Sequence, residues 1–264
     1  MNKFLLIIVL FSSLNLTGKG VERNKLRLAS YNINFGNVNL RETAMLIRSL
    51  KADFVALQET NPRSKKFLMK ALKQDYPYMK FVHDKRKPAG GFAFLSNLPF
   101  AGLKYHKRKH GLFGAFSCRL NFKDEEIDIL SVHLTPLIPK RNMNIAEAMT
   151  SFRKTQKLHL KEMKTLVQLK ALQPKVVLGD FNSLSSQLAG KYLKSLTFKD
   201  SFLENHDALD KSITWRWNYN GIKLRYRIDH IFTSEHFKSI ECKIYRKGPS
   251  DHYPIVSDLK LLGI

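Results

Sequence analysis

The sequence predicts a layered α/β or α+β sandwich whose sheet ends converge on one cleft. Short apolar runs with strand character alternate with segments of helical spacing, and several runs end on a single polar residue suited to chemistry. At 264 residues and 44% hydrophobic content the chain has ample core for one large domain. The run Val176-Val177-Leu178-Gly179-Asp180-Phe181-Asn182-Ser183 shows the pattern best. Three apolar residues lead through a Gly to a carboxylate and a carboxamide two positions apart, so both leave the strand end on one side. Asp180 offers a hard oxygen suited to Mg²⁺ or Mn²⁺, and Asn182 a neutral hydrogen-bond donor for a phosphate oxygen. An Asx-type turn closing an ordinary strand fits the octapeptide equally well.

Before the first strand, Lys3 precedes the apolar run Phe4 to Phe11, and a polar stretch with Gly18 and Gly20 follows. A membrane span needs about 20 apolar residues, so residues 1–20 fit a secretory signal better. The expectation is export, to the extracellular space or periplasm, with residues 21–264 as a single monomeric domain and no stable membrane span. An uncleaved anchor or a hydrophobic strand is the alternative.

The next segment, Lys25 to Phe35, alternates apolar and polar residues and delivers Asn32 and Asn34 from one face. Helical spacing from Asn39 to Lys51 leads to Asp53 to Thr60, a strand ending in Glu59. A carboxylate at the end of an apolar strand is costly unless a cation or a salt bridge awaits it. Residues 63–74 read as a basic helix and Gly91 to Asn97 as a strand. Lys104 to His110 then packs six cationic or titratable residues around Tyr105, which suits a solvated loop or a groove for a phosphodiester backbone equally.

A strand from about Phe113 to Phe122 precedes Ile127 to Pro136, an apolar strand with His133 at its end. A lone His is more often a satisfied structural residue than a catalyst, so its meaning depends on its company. Lys140 and Arg141 precede a long helix, roughly Ile145 to Leu172, and a short helix near Gln187 to Leu196 follows the Asp180 strand. Asn220-Gly221 between aromatic-rich flanks predicts a hairpin whose second arm leads to Asp229. Its two Trp read as packing residues first and base-stacking residues second. Asp251 and His252 stand just before a last strand.

Lys and Arg total 45 against 22 Asp and Glu, a net +23; residues 21–264 keep 43 of those bases, or +21. An exported chain so basic points to polyanionic partners such as nucleic acid, anionic lipid or cell-wall polymer. Cys118 and Cys242 lie in distant strand-like runs, where a disulfide and two buried thiols both fit.

Asn32, Glu59, His133, Asp180, Asn182, Asp229, Asp251 and His252 all lie at strand ends or strand-flanking loops. With the motifs SYNIN, LQET, GFAFLSN, SVHLTP, LGDFNS, RIDHIF and SDHYPI, in that order from about residue 26 to 260, the chain resembles the endonuclease/exonuclease/phosphatase superfamily. That superfamily includes DNase I-like nucleases, apurinic endonucleases, bacterial sphingomyelinases and inositol-polyphosphate 5-phosphatases. The resemblance implies the DNase I-like fold, a four-layer α/β (α+β) sandwich of two packed mixed β-sheets flanked by helices.

By the same resemblance Glu59 is the principal metal carboxylate, with Asn32 beside it and Asp251 a second acid near the metal. His252 is the general base, Asp229 orients it, and Asp180 and Asn182 contact the attacking water, the metal and the phosphate. His133 matches the second His of DNase I-like and sphingomyelinase members. That His and Asn34, where apurinic endonucleases carry Asp, argue against the apurinic branch. DNase I-like nucleases pair the second His with an upstream acid; Asp84 lies in that region without a secure alignment.

These residues support phosphodiester hydrolysis by an activated water with no covalent intermediate. The expected cofactor is Mg²⁺ or Mn²⁺, with Ca²⁺ a further candidate. The leading reading is a nuclease acting on DNA, and on RNA as well, with Lys107, Arg108, Lys109, Lys140 and Arg141 binding the polyphosphate. A sphingomyelinase-type phospholipid phosphodiesterase and a non-catalytic polyanion-binding module are the alternatives.

Overall fold

The computed structural model describes residues 25–84, 87–137, 144–207, 212–219 and 221–262. The expected signal segment and the Lys140-Arg141 pair lie outside the described residues. Two six-stranded mixed sheets face one another, and each is organised around a parallel β-α-β crossover. In the first sheet β1 (Leu26–Asn32), α1 (Leu40–Ser49) and β2 (Phe54–Gln58) form that unit. The second repeats it with β7 (Glu125–His133), α3 (Ile145–Leu166) and β8 (Lys175–Asp180).

Antiparallel strands complete both sheets. The first has the order β13-β14-β1-β2-β4-β3, with β3 (Tyr78–Val82), β4 (Phe92–Ser96), β13 (Phe237–Ile244) and β14 (Ile255–Leu261). The second has the order β5-β6-β7-β8-β12-β9, with β5 (Phe100–His106), β6 (Ala115–Phe122), β9 (Lys199–Asp200) and β12 (Asp229–Thr233). β10 (Trp215–Tyr219) and β11 (Ile222–Tyr226) stand apart as a two-stranded hairpin.

The central strands read as nearly continuous apolar runs because both of their faces are covered. Leu26, Leu28, Phe54, Ala56, Ile127, Ile129, Val176 and Leu178 point into the layer between the sheets. Their neighbours in sequence point outward: Ala29 and Val55 meet α1 and α2 (Pro62–Ala71), while Val132 and Val177 meet α3 and α4 (Leu188–Ser195). The result is the four-layer sandwich. Burying each such Leu, Ile or Phe stabilises the fold by about 1.5–3 kcal/mol. Cys118 and Cys242 are buried free thiols in the inter-sheet layer, so the bland reading of the cysteines holds.

Local signals fix the helix starts. Asn39 caps α1, and Asn61 and Asn144 form capping boxes with Ser64 and Glu147. The long helix stops at Leu166, six residues short of the expected Leu172, because Val167 turns to extended backbone and buries itself with Ala171 in the core under α4. The basic run divides as well: Lys104 to His106 close the edge strand β5, while Lys107 to His110 form an exposed loop.

Candidate active site

The strand alternation that builds the inter-sheet core also builds the site. Leu26 and Leu28 on β1 lead to Ser30 and Asn32 on the same face, and Val176 and Leu178 on β8 lead to Asp180. Gln58 and Ser131 bridge the two sheets where the layer turns polar, with Gln58 Nε2 donating to Ser131 Oγ at 3.0 Å. The active-site residues therefore occupy the open end of the core itself. Pairing register does the rest: His133 and Asp180 are direct partners on β7 and β8, and Asp180 and Asp229 on β8 and β12.

Asp180 is the centre. Its Oδ2 lies 3.6 Å from His133 Nε2 and 3.7 Å from His252 Nε2, and accepts from Asn32 Nδ2 at 3.0 Å. Asn32 Nδ2 also donates to Glu59 Oε1 at 2.9 Å, while its own oxygen accepts from the Asn34 backbone. The resemblance set Asn32 beside the metal; its geometry is that of a spacer holding two carboxylates together. Glu59 Oε2 accepts from Phe35 N at 3.0 Å, and Oε1 lies 3.7 Å from His133 Nε2.

The two imidazoles are held differently. His252 Nδ1–H donates to Asp229 Oδ2 at 2.9 Å, and Asp229 is itself fixed by Thr214 Oγ1, which accepts from the amides of Ile228 and Asp229. His133 Nδ1 faces the Ala89 carbonyl at 3.2 Å, so a backbone oxygen orients it. Phe113 stacks on its ring at 4.1 Å.

Asp251 is engaged by Asn34 Nδ2 at 2.8 Å and Trp215 Nε1 at 3.2 Å. Asn182 gives one amide hydrogen to Leu134 O at 2.8 Å, and its backbone N–H donates to Asp180 Oδ1. One donor of Asn182 is thus spent on the fold, and the other is left for the phosphate role the sequence suggested.

Three of these residues, Asn34, Glu59 and Asn182, have φ of 58°, 59° and 47°, in the left-handed region. For a residue with a Cβ that conformation costs about 1–2 kcal/mol, and the surrounding hydrogen bonds hold it. Behind them Gly179 sits where an added Cβ would lie 2.0 Å from Val132 O, so no side chain fits between Leu178 and Asp180.

Burial raises Glu59 above the usual carboxylate range, against donation from Asn32 and Phe35. It raises Asp180 too, opposed chiefly by His252. Burial also lowers His133, which Asp180 only partly offsets. Burial alone would lower His252, yet Asp229 and Asp180 carry it well above the ordinary imidazole value.

The donor set fits a hard divalent cation. Glu59, His133 and Asp180 offer ligating atoms all within 4.8 Å of one another, and Asp180, Asp229 and His252 do the same. Asp229 Oδ1 is buried with no hydrogen-bond partner, an acceptor oxygen that a cation or its water satisfies. Buried carboxylates this crowded favour positive charge beside them.

Phe113, Thr214, Trp215 and Ser250 also build the site. Of these, Trp215 opens the hairpin, and in the sequence it reads first as packing. Trp215 pairs with His252 through an isolated β-bridge, which ties the hairpin to that imidazole's backbone.

The profile of the endonuclease/exonuclease/phosphatase family matches residues 29–252. The chain belongs to that family. Family members are divalent-metal-dependent phosphodiesterases and related hydrolases, and the fold here is theirs. An endonuclease/exonuclease/phosphatase from Beutenbergia cavernae DSM 12333 superposes with a TM-score of 0.69 at 19% identity, over 91% of this chain and 72% of that one. TDP2 of D. rerio, complexed with a single-strand DNA product, gives 0.66 at 16% identity, over 89% and 98%. Beta toxin of Staphylococcus aureus gives 0.66 at 18% identity, over 88% and 99%. No curated protein matches the chain by sequence. No helix among the described residues is long and apolar enough to cross a membrane.

Proposed function

We propose that the protein is a secreted, Mg²⁺- or Mn²⁺-dependent nuclease acting on DNA, and on RNA as well. The observation that carries this reading is a basic cleft beside the His133 flank. Exposed Lys107, Arg108, Lys109 and His110 line a cavity of about 480 Å³ with His83, Asp84 and Tyr105, and the same loop lines a narrow crevice with His133 and Phe113. A polyphosphate chain crossing that loop passes directly to the candidate catalytic residues. Across the site, the hairpin presents Trp217 and Tyr226, partly exposed, as faces for stacking. The leader expected at residues 1–20 would deliver the enzyme outside the cell, and Lys140 and Arg141 would add positive charge for binding a polyphosphate.

With the carboxylate charge that keeps His252 protonated offset by a bound cation, His252 would be free to take the proton of the attacking water at Nε2, while Asp229 fixes its tautomer and stabilises the imidazolium that forms. His133 commits Nδ1–H to Ala89, so its Nε2 donates to a phosphoryl oxygen only as the imidazolium, the form that an arriving phosphate anion favours. The second amide hydrogen of Asn182 is placed for the same purpose. A bound divalent cation supplies neutralisation of charge at phosphorus, held by Glu59 and Asp180. Water and the phosphodiester give a phosphomonoester and an alcohol.

One observation favours a second reading. Ile222 is 61% exposed, and with Trp217 and Tyr226 it lies on the same hairpin face, so an apolar ribbon stands next to His252. A phospholipid phosphodiesterase would use it at a bilayer surface. Turnover of plasmid DNA, RNA and sphingomyelin with and without EDTA separates the readings. Metal-dependent cleavage of nucleic acid faster than sphingomyelin supports the nuclease, the reverse order supports the lipid enzyme, and no turnover of any substrate supports a binding module.

A further inference from the structure

We infer that His159 and Glu162, one turn apart on α3, are positioning residues that act on His133 through Thr135 and the 111–113 loop. Both are buried and neither touches the carboxylate cluster. They grip Thr135, two residues beyond His133, at three atoms. His159 Nε2–H donates to Thr135 O at 2.6 Å, Thr135 Oγ1–H donates to Glu162 Oε1 at 2.8 Å, and Thr135 N reaches Glu162 Oε2 at 3.4 Å. The hydroxyl then accepts from Leu112 N at 2.8 Å, which fixes the loop one residue before Phe113. Phe113 is the ring stacked on His133.

The chain of contacts is therefore α3 to Thr135 to Leu112 to Phe113 to His133. Gly111 shows how tightly the loop seats on the latch. It is in the left-handed region at φ 66°, and an added Cβ would lie 1.8 Å from Glu162 Oε1 and 2.2 Å from Thr135 Oγ1. The loop that enters this latch is the exposed basic one, so the grip also sets where Lys107 to His110 stand relative to His133. Burial lifts Glu162 to about 7, and a carboxyl so placed accepts from Thr135 without needing a cationic partner. This inference rests on His133 facing the substrate.

Thr135→Val removes the hydroxyl and leaves the volume; Thr135→Ser restores it. The first readout does not involve activity: the ring-current shift that Phe113 imposes on the His133 ring protons in NMR. Thr135→Val should abolish it as fully as Phe113→Leu does, and Thr135→Ser should keep it. On a small phosphodiester, Thr135→Val should lower kcat about tenfold or more with KM little changed, and on a polynucleotide KM should rise as well. Thr135→Ser should stay within about twofold of the parent. If Thr135→Val proves too unstable to purify, Glu162→Met removes both acceptors at nearly the same length and should give the same loss of shift. An unchanged ring-current shift in these variants overturns the latch. A lost shift in an enzyme that cleaves sphingomyelin instead of nucleic acid keeps the latch and removes the nuclease reading.

Discussion

The two flanks of the site bury an imidazole each and leave it in opposite states. On one side His252 meets Asp229 at 2.9 Å and Asp180 at 3.7 Å and is raised above its ordinary pKa; on the other, His133 meets a backbone carbonyl and is lowered. Burial acts on both in the same sense, so the charge of the hydrogen-bond partner decides the outcome. A peptide oxygen orients a ring as well as a carboxylate does, yet its pull on the proton is too weak to offset burial. The flank with the carboxylate suits a group that must carry a proton away from water. The other suits one that becomes cationic only when an anion arrives.

The comparison breaks most visibly at the carboxylate. Asp229→Asn keeps the shape but not the charge, and together with His252→Ala it should cost about 10²–10⁴-fold in turnover while polynucleotide binding stays at the parent level. Rates and binding on one duplex check this; an Asp229→Asn enzyme with parental turnover would remove Asp229 from the mechanism.

Glu59→Gln should come next, with a higher metal requirement and activity reduced by more than about tenfold at low Mg²⁺. A titration of rate against Mg²⁺ that superposes on the parent's would make Glu59 a structural acid instead.

A stability measurement sharpens the contrast without substrate. Because the folded pKa of His252 is raised, its contribution is fully present below the ordinary imidazole value near 6.5 and is lost as pH rises through the raised one. In EDTA the parent should therefore lose unfolding free energy from pH 7 upward more steeply than Asp229→Asn, by about 1.4 kcal/mol per pH unit at most for one proton, as denaturant titrations across that range would read. Equal slopes would mean that His252 is not charged in the folded protein.

The smallest expected effect concerns the basic loop. Replacing Lys107, Arg108 and Lys109 with Ser should leave a small phosphodiester untouched and flatten the salt dependence of DNA binding by up to about 0.9 logarithmic units per lost phosphate contact. A retained slope would assign those side chains to a solvated surface.

How much of this was legible depended on where a residue sits. Glu59, His133, Asp180 and Asp229 announce themselves because each stands at one end of an apolar strand, and period-two alternation fixes the face from which it leaves. Edge strands gave no such signal. β3 and β5 are half exposed, without clean alternation, and β13 carries Lys238, Glu241 and Lys243 among its few apolar positions. Partners were the least legible. Ala89 contributes only a carbonyl, Phe113 an ordinary aromatic, and Thr214 and Ser250 hydroxyls in loops, so their parts exist only once the chain has folded. The end of α3 was missed for a related reason: Val167 continues the helical spacing but finds a better-packed place in the core.

The left-handed residues carry a consequence for engineering and for drift. Besides Asn34, Glu59 and Asn182, the non-glycine residues Lys51, Lys123, Asp124 and Thr197 share that conformation, all of them in turns away from the site. Glycine relieves the strain at each of the seven, at some cost in unfolded-chain entropy. Selection for heat resistance alone would push every one of them toward glycine. The four turns lie outside the site, whereas at the three site positions the same change deletes the side chain for which the strain is held. Libraries screened first for stability and only then for turnover should thus accumulate their inactive survivors at residues 34, 59 and 182.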